Sequence, residues 1–169
     1  MRIWRGSCRA PIDYFGPSAN LKLMESLLLS VHVVAGILFV GPVAVVTSLF
    51  PRYAPVSVPD AQRSLDTAQL LHRITRVYGL LATAVPVIGL VLAAVQGRLT
   101  EVWITVALVL TVIAGGLLAL LIAPLQREAL DAPDSGARLR QLGMVTGIFN
   151  LLWVIVVVLM IVRPGSSYS

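Results

Sequence analysis

The chain of 169 residues is 57% hydrophobic and only 12% charged, with a net charge of +5 and a mean hydropathy of +0.89. Soluble domains carry about a quarter of charged residues, so this composition excludes a soluble globular protein and indicates a polytopic membrane protein. Because each crossing needs about 20 apolar residues, four crossings occupy about half the chain and leave no room for a second domain.

The positive charge comes from twelve Arg and one Lys. These residues lie beside apolar runs and do not form one basic face, a pattern that suits phospholipid headgroups. We therefore expect a lipid bilayer as the partner and no nucleic acid. The single cysteine, Cys8, excludes an intramolecular disulfide and a metal cluster built from cysteines.

Residues 1–23 show no hydrophobic periodicity and predict a weakly ordered N-terminal segment. The apolar run that follows is about 24 residues long, which is too long for the h-region of a signal peptide. Met24 is an alternative translation start, because the chain from Met24 begins directly on a helical pattern. Residues 166–169 are expected to form a short tail.

Four long apolar runs predict four membrane-spanning helices, because only a helix satisfies the backbone of such a run within lipid. The predicted spans cover about residues 27–50, 77–95, 102–123 and 142–162. The predicted fold is all-α, an antiparallel bundle of four transmembrane helices that uses residues 24–165.

The two longer connections contain helix signals of their own. Ser57 and Asp60 form a capping-box pattern, which predicts an amphipathic helix that starts near Val58 and leads into the second span. The third span is expected to end at Pro124, and a polar segment follows it.

Arginine counts predict the orientation in the membrane. The longer loops carry Arg52, Arg63, Arg73, Arg76, Arg127, Arg138 and Arg140. The other side carries Arg98 and Arg163, joined by Arg2, Arg5, Arg9 and Lys22 if residues 1–23 are present. With a start at Met24, the long loops face the cytoplasm and both termini lie outside.

Small residues at four-residue spacing predict faces where helices pack closely. They are Gly89, Ala93 and Gly97 in the second span, Gly115, Ala119 and Ala123 in the third, and Gly143 and Gly147 in the fourth. Such faces serve either packing within the bundle or a homodimer.

Asn150 is the most polar group deep in the fourth span, where an unpaired amide costs several kcal/mol. We expect it to point inward and to pair with Thr83 or Thr111, or to contact a ligand or partner subunit. Pro42 and Pro86 are expected to bend their helices. Bent spans are found in small transporters, but the spans contain no charged residue at depth, which disfavours ion-coupled transport.

The two histidines raise the question of a cofactor. Eighteen residues separate His32 from Phe50, about 27 Å of helix, so His32 and His72 near opposite ends of the bundle cannot ligate one haem. His32 and Met160 have similar depth and are a candidate pair of soft ligands for Cu(I). Alternatively, His32 bonds a neighbouring helix or reaches the interface, and His72 contacts headgroups.

No motif typical of an enzyme is visible: the sequence has no paired carboxylates, no Ser/His/Asp grouping within reach and no phosphate-binding glycine loop. We expect neither enzymatic activity nor a required cofactor, with copper or haem as the cofactors to consider.

Three loose motifs resemble an uncharacterised bacterial family of small four-helix membrane proteins. They are LLxxxHxxxGxxxxGP from Leu27 to Pro42, RxxRxxG from Arg73 to Gly79, and WxxxxxLMxxRPG from Trp153 to Gly165. That family is distantly similar to copper-resistance D-type membrane proteins. The resemblance implies a four-helix bundle in a bacterial inner membrane and a connection to copper or haem.

The leading functional prediction is a non-catalytic integral-membrane protein that serves as an accessory or structural subunit of a larger inner-membrane complex. Its expected partners are other membrane subunits or a second copy. The alternatives are a copper- or haem-handling protein that uses His32, and a small transporter with proline-bent spans.

Overall fold

A computed structural model of the chain describes residues 17–57 and 64–165, and all regular structure in these ranges is helical. The helices are α1 (Pro17–Ala35), α2 (Gly41–Tyr53), α3 (Leu65–Ala82), α4 (Ala84–Val95), α5 (Val102–Leu117), α6 (Ala123–Asp131) and α7 (Ala137–Val162). Two π-helical segments, π1 (Gly36–Val40) and π2 (Leu118–Ile122), join α1 to α2 and α5 to α6.

These elements form four long apolar helices, each able to cross a membrane. The spans are Ala19–Tyr53, Leu65–Val95, Val102–Asp131 and Ala137–Val162, and they confirm the predicted all-α bundle of a multi-pass membrane protein. The helix α1 begins at Pro17, so the prediction of weak order is wrong for residues 17–23, and Met24 lies inside a helix. Residues 1–16 and 166–169 lie outside the described ranges.

The second and third spans extend farthest beyond the predicted apolar runs. The predicted helix start near Val58 falls on residues that are not described, and the described helix α3 begins at Leu65, where the Ser64 side chain accepts a hydrogen bond from the amide of Thr67. The third span continues past Pro124 to Asp131, so the predicted end at Pro124 is wrong. Amphipathic faces explain both extensions, since α3 and α6 bury one side and expose the other.

Each backbone irregularity within the spans precedes a proline. A proline has no amide hydrogen, so the carbonyl four residues before it has no helical partner. The affected carbonyls are those of Leu38 in π1 and Leu120 in π2. The third is that of Ala82, next to Thr83, where the helix is interrupted between α3 and α4. At the break, the Thr83 hydroxyl and amide both donate to the Leu80 carbonyl. The chain therefore passes Pro42, Pro86 and Pro124 without ending the spans.

The four spans pack in an uneven way along their length. Along the first and second spans, α1 lies against α4 and α2 lies against α3. The helix α7 packs against α2 and α5, and α3 contacts α6. The buried core includes Phe50, Leu71, Ile122, Leu142 and Phe149, which belong mainly to the half of the bundle near the long loops. The bundle is therefore closed best at the long-loop end.

The loop between α6 and α7 is held by side-chain hydrogen bonds. The Asp134 carboxylate accepts hydrogen bonds from the amides of Gly136 and Arg138 at 2.8 and 3.1 Å. The Arg138 guanidinium donates to the carbonyls of Glu128 and Ala132, at the C-terminal end of α6. The amide of Ser57 donates to the Asp134 carbonyl, which joins the two long loops.

Candidate functional site

His32 lies in the contact between α1 and α4 and is only 8% exposed. The residue opposite is Gly89, where an added Cβ would lie 2.7 Å from Cε1 of the imidazole. Nδ1 of His32 is buried and has no hydrogen-bond partner. Gly89 thus lies in a close helix contact and provides the space for the histidine ring, and Ala93, one turn later, is also buried.

The helix contacts place the two candidate copper ligands in different parts of the bundle. The imidazole of His32 lies against Gly89 of α4. The main contacts of α1 are with α4, whereas α7, which carries Met160, packs against α2 and α5. Within the described ranges, no three His, Cys, Asp or Glu side chains form a group able to hold a metal ion.

Most of the other small residues lie outside the helix contacts. Gly115, Ala119, Gly143 and Gly147 are exposed, and an added Cβ at any of these three glycines would meet nothing within 4 Å. Ala123 is half-buried. Gly97 is an exposed turn residue after α4 with a φ of 66°. None of these glycines lies in a close contact between helices, so the predicted packing within the bundle is wrong for them.

Asn150 has a partner that the sequence prediction missed. Its Nδ2 donates to the Ser48 hydroxyl at 3.0 Å, so the predicted partners Thr83 and Thr111 are wrong. Those threonines donate to carbonyls of their own helices, at Leu80 and Ala107. The Oδ1 atom of Asn150 is buried without a partner, as are the hydroxyl of Thr146 and Nε1 of Trp153 on the same helix.

A buried polar network lies near the long-loop end. Gln126 is fully buried on α6, and its Nε2 donates to the Thr75 hydroxyl at 3.3 Å. The Oε1 atom of the same amide lies 3.1 Å from Nδ1 of His72, so Nδ1 is the donor of that bond. His72 therefore bonds α6 through Nδ1, a contact that the sequence did not predict. The sequence predicted that the third span ends at Pro124, so Gln126 was assigned to a loop and its contact with His72 was not predicted.

A cavity of about 200 Å³ lies between the four spans. Val40 and Leu118, from the two π-helical segments, line it, together with Thr83 and Pro86 at the break between α3 and α4. The predicted bends at Pro42 and Pro86 thus coincide with irregular backbone next to this cavity. π-Helical segments are rare and occur often at functional sites, which makes the cavity the main candidate site.

The fourth span supplies the aromatic wall of the cavity. The rings of Phe149 and Trp153 meet edge to face, with centroids 6.3 Å apart at an angle of 74°. Thr111, Val112 and Gly115 of α5 form another side. The exposure of Thr83, Val112 and Gly115 leaves the cavity open toward the outside of the bundle, between the second and third spans.

Comparisons with protein-family models, with curated proteins and with solved structures find no match for this chain.

Proposed function

We propose that this chain is a non-catalytic subunit of a larger complex in a bacterial inner membrane, and that the exposed face of α7 with Gly143 and Gly147 contacts the partner. The observation that carries the proposal is the exposure of the two glycines, four residues apart, on an outer helix surface. In lipid, helices associate where small residues let their backbones approach, and Gly-xxx-Gly spacing is typical of such contacts.

Asn150 fixes the orientation of this face. Its Nδ2 donates to the Ser48 hydroxyl of α2 at 3.0 Å and its Oδ1 is buried within the chain, so the amide holds α7 against α2 and leaves the neighbouring glycines exposed. The charge count of the loops supports an orientation with the long loops in the cytoplasm.

The test is purification of the tagged chain from its native membrane in mild detergent, with Gly143→Leu and Gly147→Leu as variants. We expect a stable larger complex with the wild-type chain and loss of the partner in both variants. Gly115→Leu is the matched control, because it makes the same change on α5 at a site that also has open space. It should leave the complex intact.

Other outcomes would contradict the proposal. A cross-linked product of twice the 18.1 kDa chain mass, with no second protein, would mean that the face joins two copies. Stoichiometric copper or a Soret band that His32→Ala removes would favour the metal- or haem-handling alternative. Equal loss of the partner in Gly115→Leu would mean that α7 is not the contact face.

A further inference from the structure

Two arginines lie next to each other on the outer surface of α3. Arg73 and Arg76 are both exposed, and residues three apart are neighbours on the surface of a helix. The buried residues of α3, which are Ala68, Leu71 and Thr75, lie on another side of the helix. The two guanidinium groups therefore point away from the core of the bundle.

The outer surface of α3 continues as an apolar surface. Val77 and Leu80 are exposed, and the helical period places them on the same side of α3 as Arg73. Large exposed apolar side chains of a membrane-spanning helix contact acyl chains. The two arginines therefore lie at the edge of the lipid, which favours a lipid over a soluble protein as their partner.

The third span gives the depth of this edge. Trp103 lies in the first turn of α5, at the end of the bundle opposite the long loops, and tryptophan is typical of a membrane–water interface. Pro124 follows 21 residues later, about 31 Å of helix, which matches a hydrocarbon thickness of about 30 Å. Gln126, just beyond Pro124, bonds His72 at 3.1 Å. His72 thus marks the second hydrocarbon boundary, and both arginines lie within about one helical turn of it.

Neither arginine has an anionic partner in the part of the chain that the structure describes. No carboxylate of residues 17–57 or 64–165 forms an ion pair with Arg73 or Arg76. The acidic residue of α3, Asp66, lies two turns before Arg73. By contrast, Arg127 at the same end of the bundle pairs with Asp131 at 3.6 Å. Because a guanidinium is always charged, the anion that balances Arg73 and Arg76 must come from the surroundings.

The surroundings at this depth are lipid headgroups. A zwitterionic headgroup carries an ammonium group beside its phosphate, whereas an acidic phospholipid leaves its negative charge to the two guanidinium groups. Arginine also presents paired N–H donors that match the oxygens of a phosphate. We propose that Arg73 and Arg76 bind the phosphate of an acidic phospholipid in the leaflet on the long-loop side, with its acyl chains along Val77 and Leu80. This site does not depend on the subunit role, since it uses α3 and not the outer face of α7.

The test is native mass spectrometry of the purified chain in detergent, titrated with an equal mixture of dioleoyl phosphatidylglycerol and dioleoyl phosphatidylethanolamine. We expect the wild-type chain to bind phosphatidylglycerol preferentially. Arg73→Gln and Arg76→Gln should each reduce this preference about fivefold, and the double variant about 25-fold, as expected for the loss of one cation and of two near an anionic lipid. Both changes replace exposed side chains, so the variants should fold.

Arg127→Gln is the matched control. It makes the same change of charge at the same end of the bundle, but Asp131 already offsets the charge of Arg127. The preference for phosphatidylglycerol should therefore change less than about twofold.

Four outcomes would overturn the proposal. Equal binding of the two lipids by the wild type would remove the selectivity, and an equal effect of Arg127→Gln would assign it to net charge alone. Displacement of the lipid by excess inorganic phosphate would mean that the site binds a free anion. Loss of a co-purifying protein from the double variant, with unchanged lipid preference, would place an acidic protein on this surface.

Discussion

Asp134 shows how one side chain organises the connection between the last two helices. Its two carboxylate oxygens accept hydrogen bonds from the amides of Gly136 and Arg138, at the start of α7. These backbone donors, first Gly136 and then Arg138, hold the pKa of the Asp134 carboxyl below its ordinary value of 3.8. The free amides at a helix start favour the ionised carboxylate, which needs no further partner there.

We therefore predict a pH-dependent contribution of Asp134 to stability. A carboxyl whose pKa is lowered by folding stabilises the folded state above its ordinary pKa and loses this effect as the pH falls through its folded value. Asp134→Ala should lower the unfolding temperature in detergent at neutral pH, and the difference from the wild type should shrink in strong acid. Asp131→Ala, which removes an exposed ion pair with Arg127, is the control and should change little. A difference for Asp134→Ala that stays constant with pH would contradict this role.

At the scale of elements, the contact between α1 and α4 depends on one glycine. His32 is buried against Gly89, and α1 makes few contacts with the other spans. Gly89 of the second span therefore has a partner on α1, whereas Gly143 and Gly147 of the fourth span face outward. The same spacing leads to different outcomes because the rotation of each helix is set by its larger buried residues.

We predict that Gly89→Ala destabilises the chain by about 1–3 kcal/mol, because the new methyl group would overlap the buried imidazole. The measurement is equilibrium unfolding of the purified chain in mixed micelles. Gly147→Ala is the matched control: its Cβ meets open space, and the better helix propensity of alanine should give no loss and a gain of up to about 1 kcal/mol.

A second variant separates the histidine contact from other effects. Adding His32→Ala to Gly89→Ala should restore part of the lost stability relative to the sum of the two single changes. Simple additivity would mean that the histidine does not oppose the alanine at position 89.

On the scale of the whole molecule, the two ends of the bundle differ. Near the long loops, the core and the His72–Gln126–Thr75 network close the space between helices. At the other end, the Arg163 guanidinium lies 5.9 Å from the centre of the Trp103 ring, and the Trp103 indole donates to Glu101. Tryptophan and arginine at a helix end are typical of a membrane–water interface.

The charge difference between these ends predicts the orientation of the bundle. In a Cys8→Ser background, a membrane-impermeant maleimide should label Thr100→Cys in intact cells, since residue 100 lies between α4 and α5. Ser135→Cys, in the loop before α7, should react only after the membrane is opened. Both positions are exposed, so access to reagent is matched. The reverse pattern would place the arginine-rich loops outside and contradict the prediction.

The sequence by itself determined the class of protein, the number of spans and the approximate bounds of their apolar parts. The physical reason is that a long uncharged run has only one stable form in lipid, so composition alone decides the fold class. The sequence also predicted irregular helix geometry at Pro42 and Pro86, because the missing amide hydrogen is a local property of proline.

Only the tertiary structure decided which faces meet. Helix rotation and depth follow from packing between distant residues, so the partner of Asn150 is Ser48, the partner of His72 is Gln126, and Gly143 and Gly147 face outward. The cavity was also hidden from the sequence, because its wall combines residues from all four spans and two π-helical segments. These features depend on contacts between residues far apart in the chain, which periodicity within one helix does not encode.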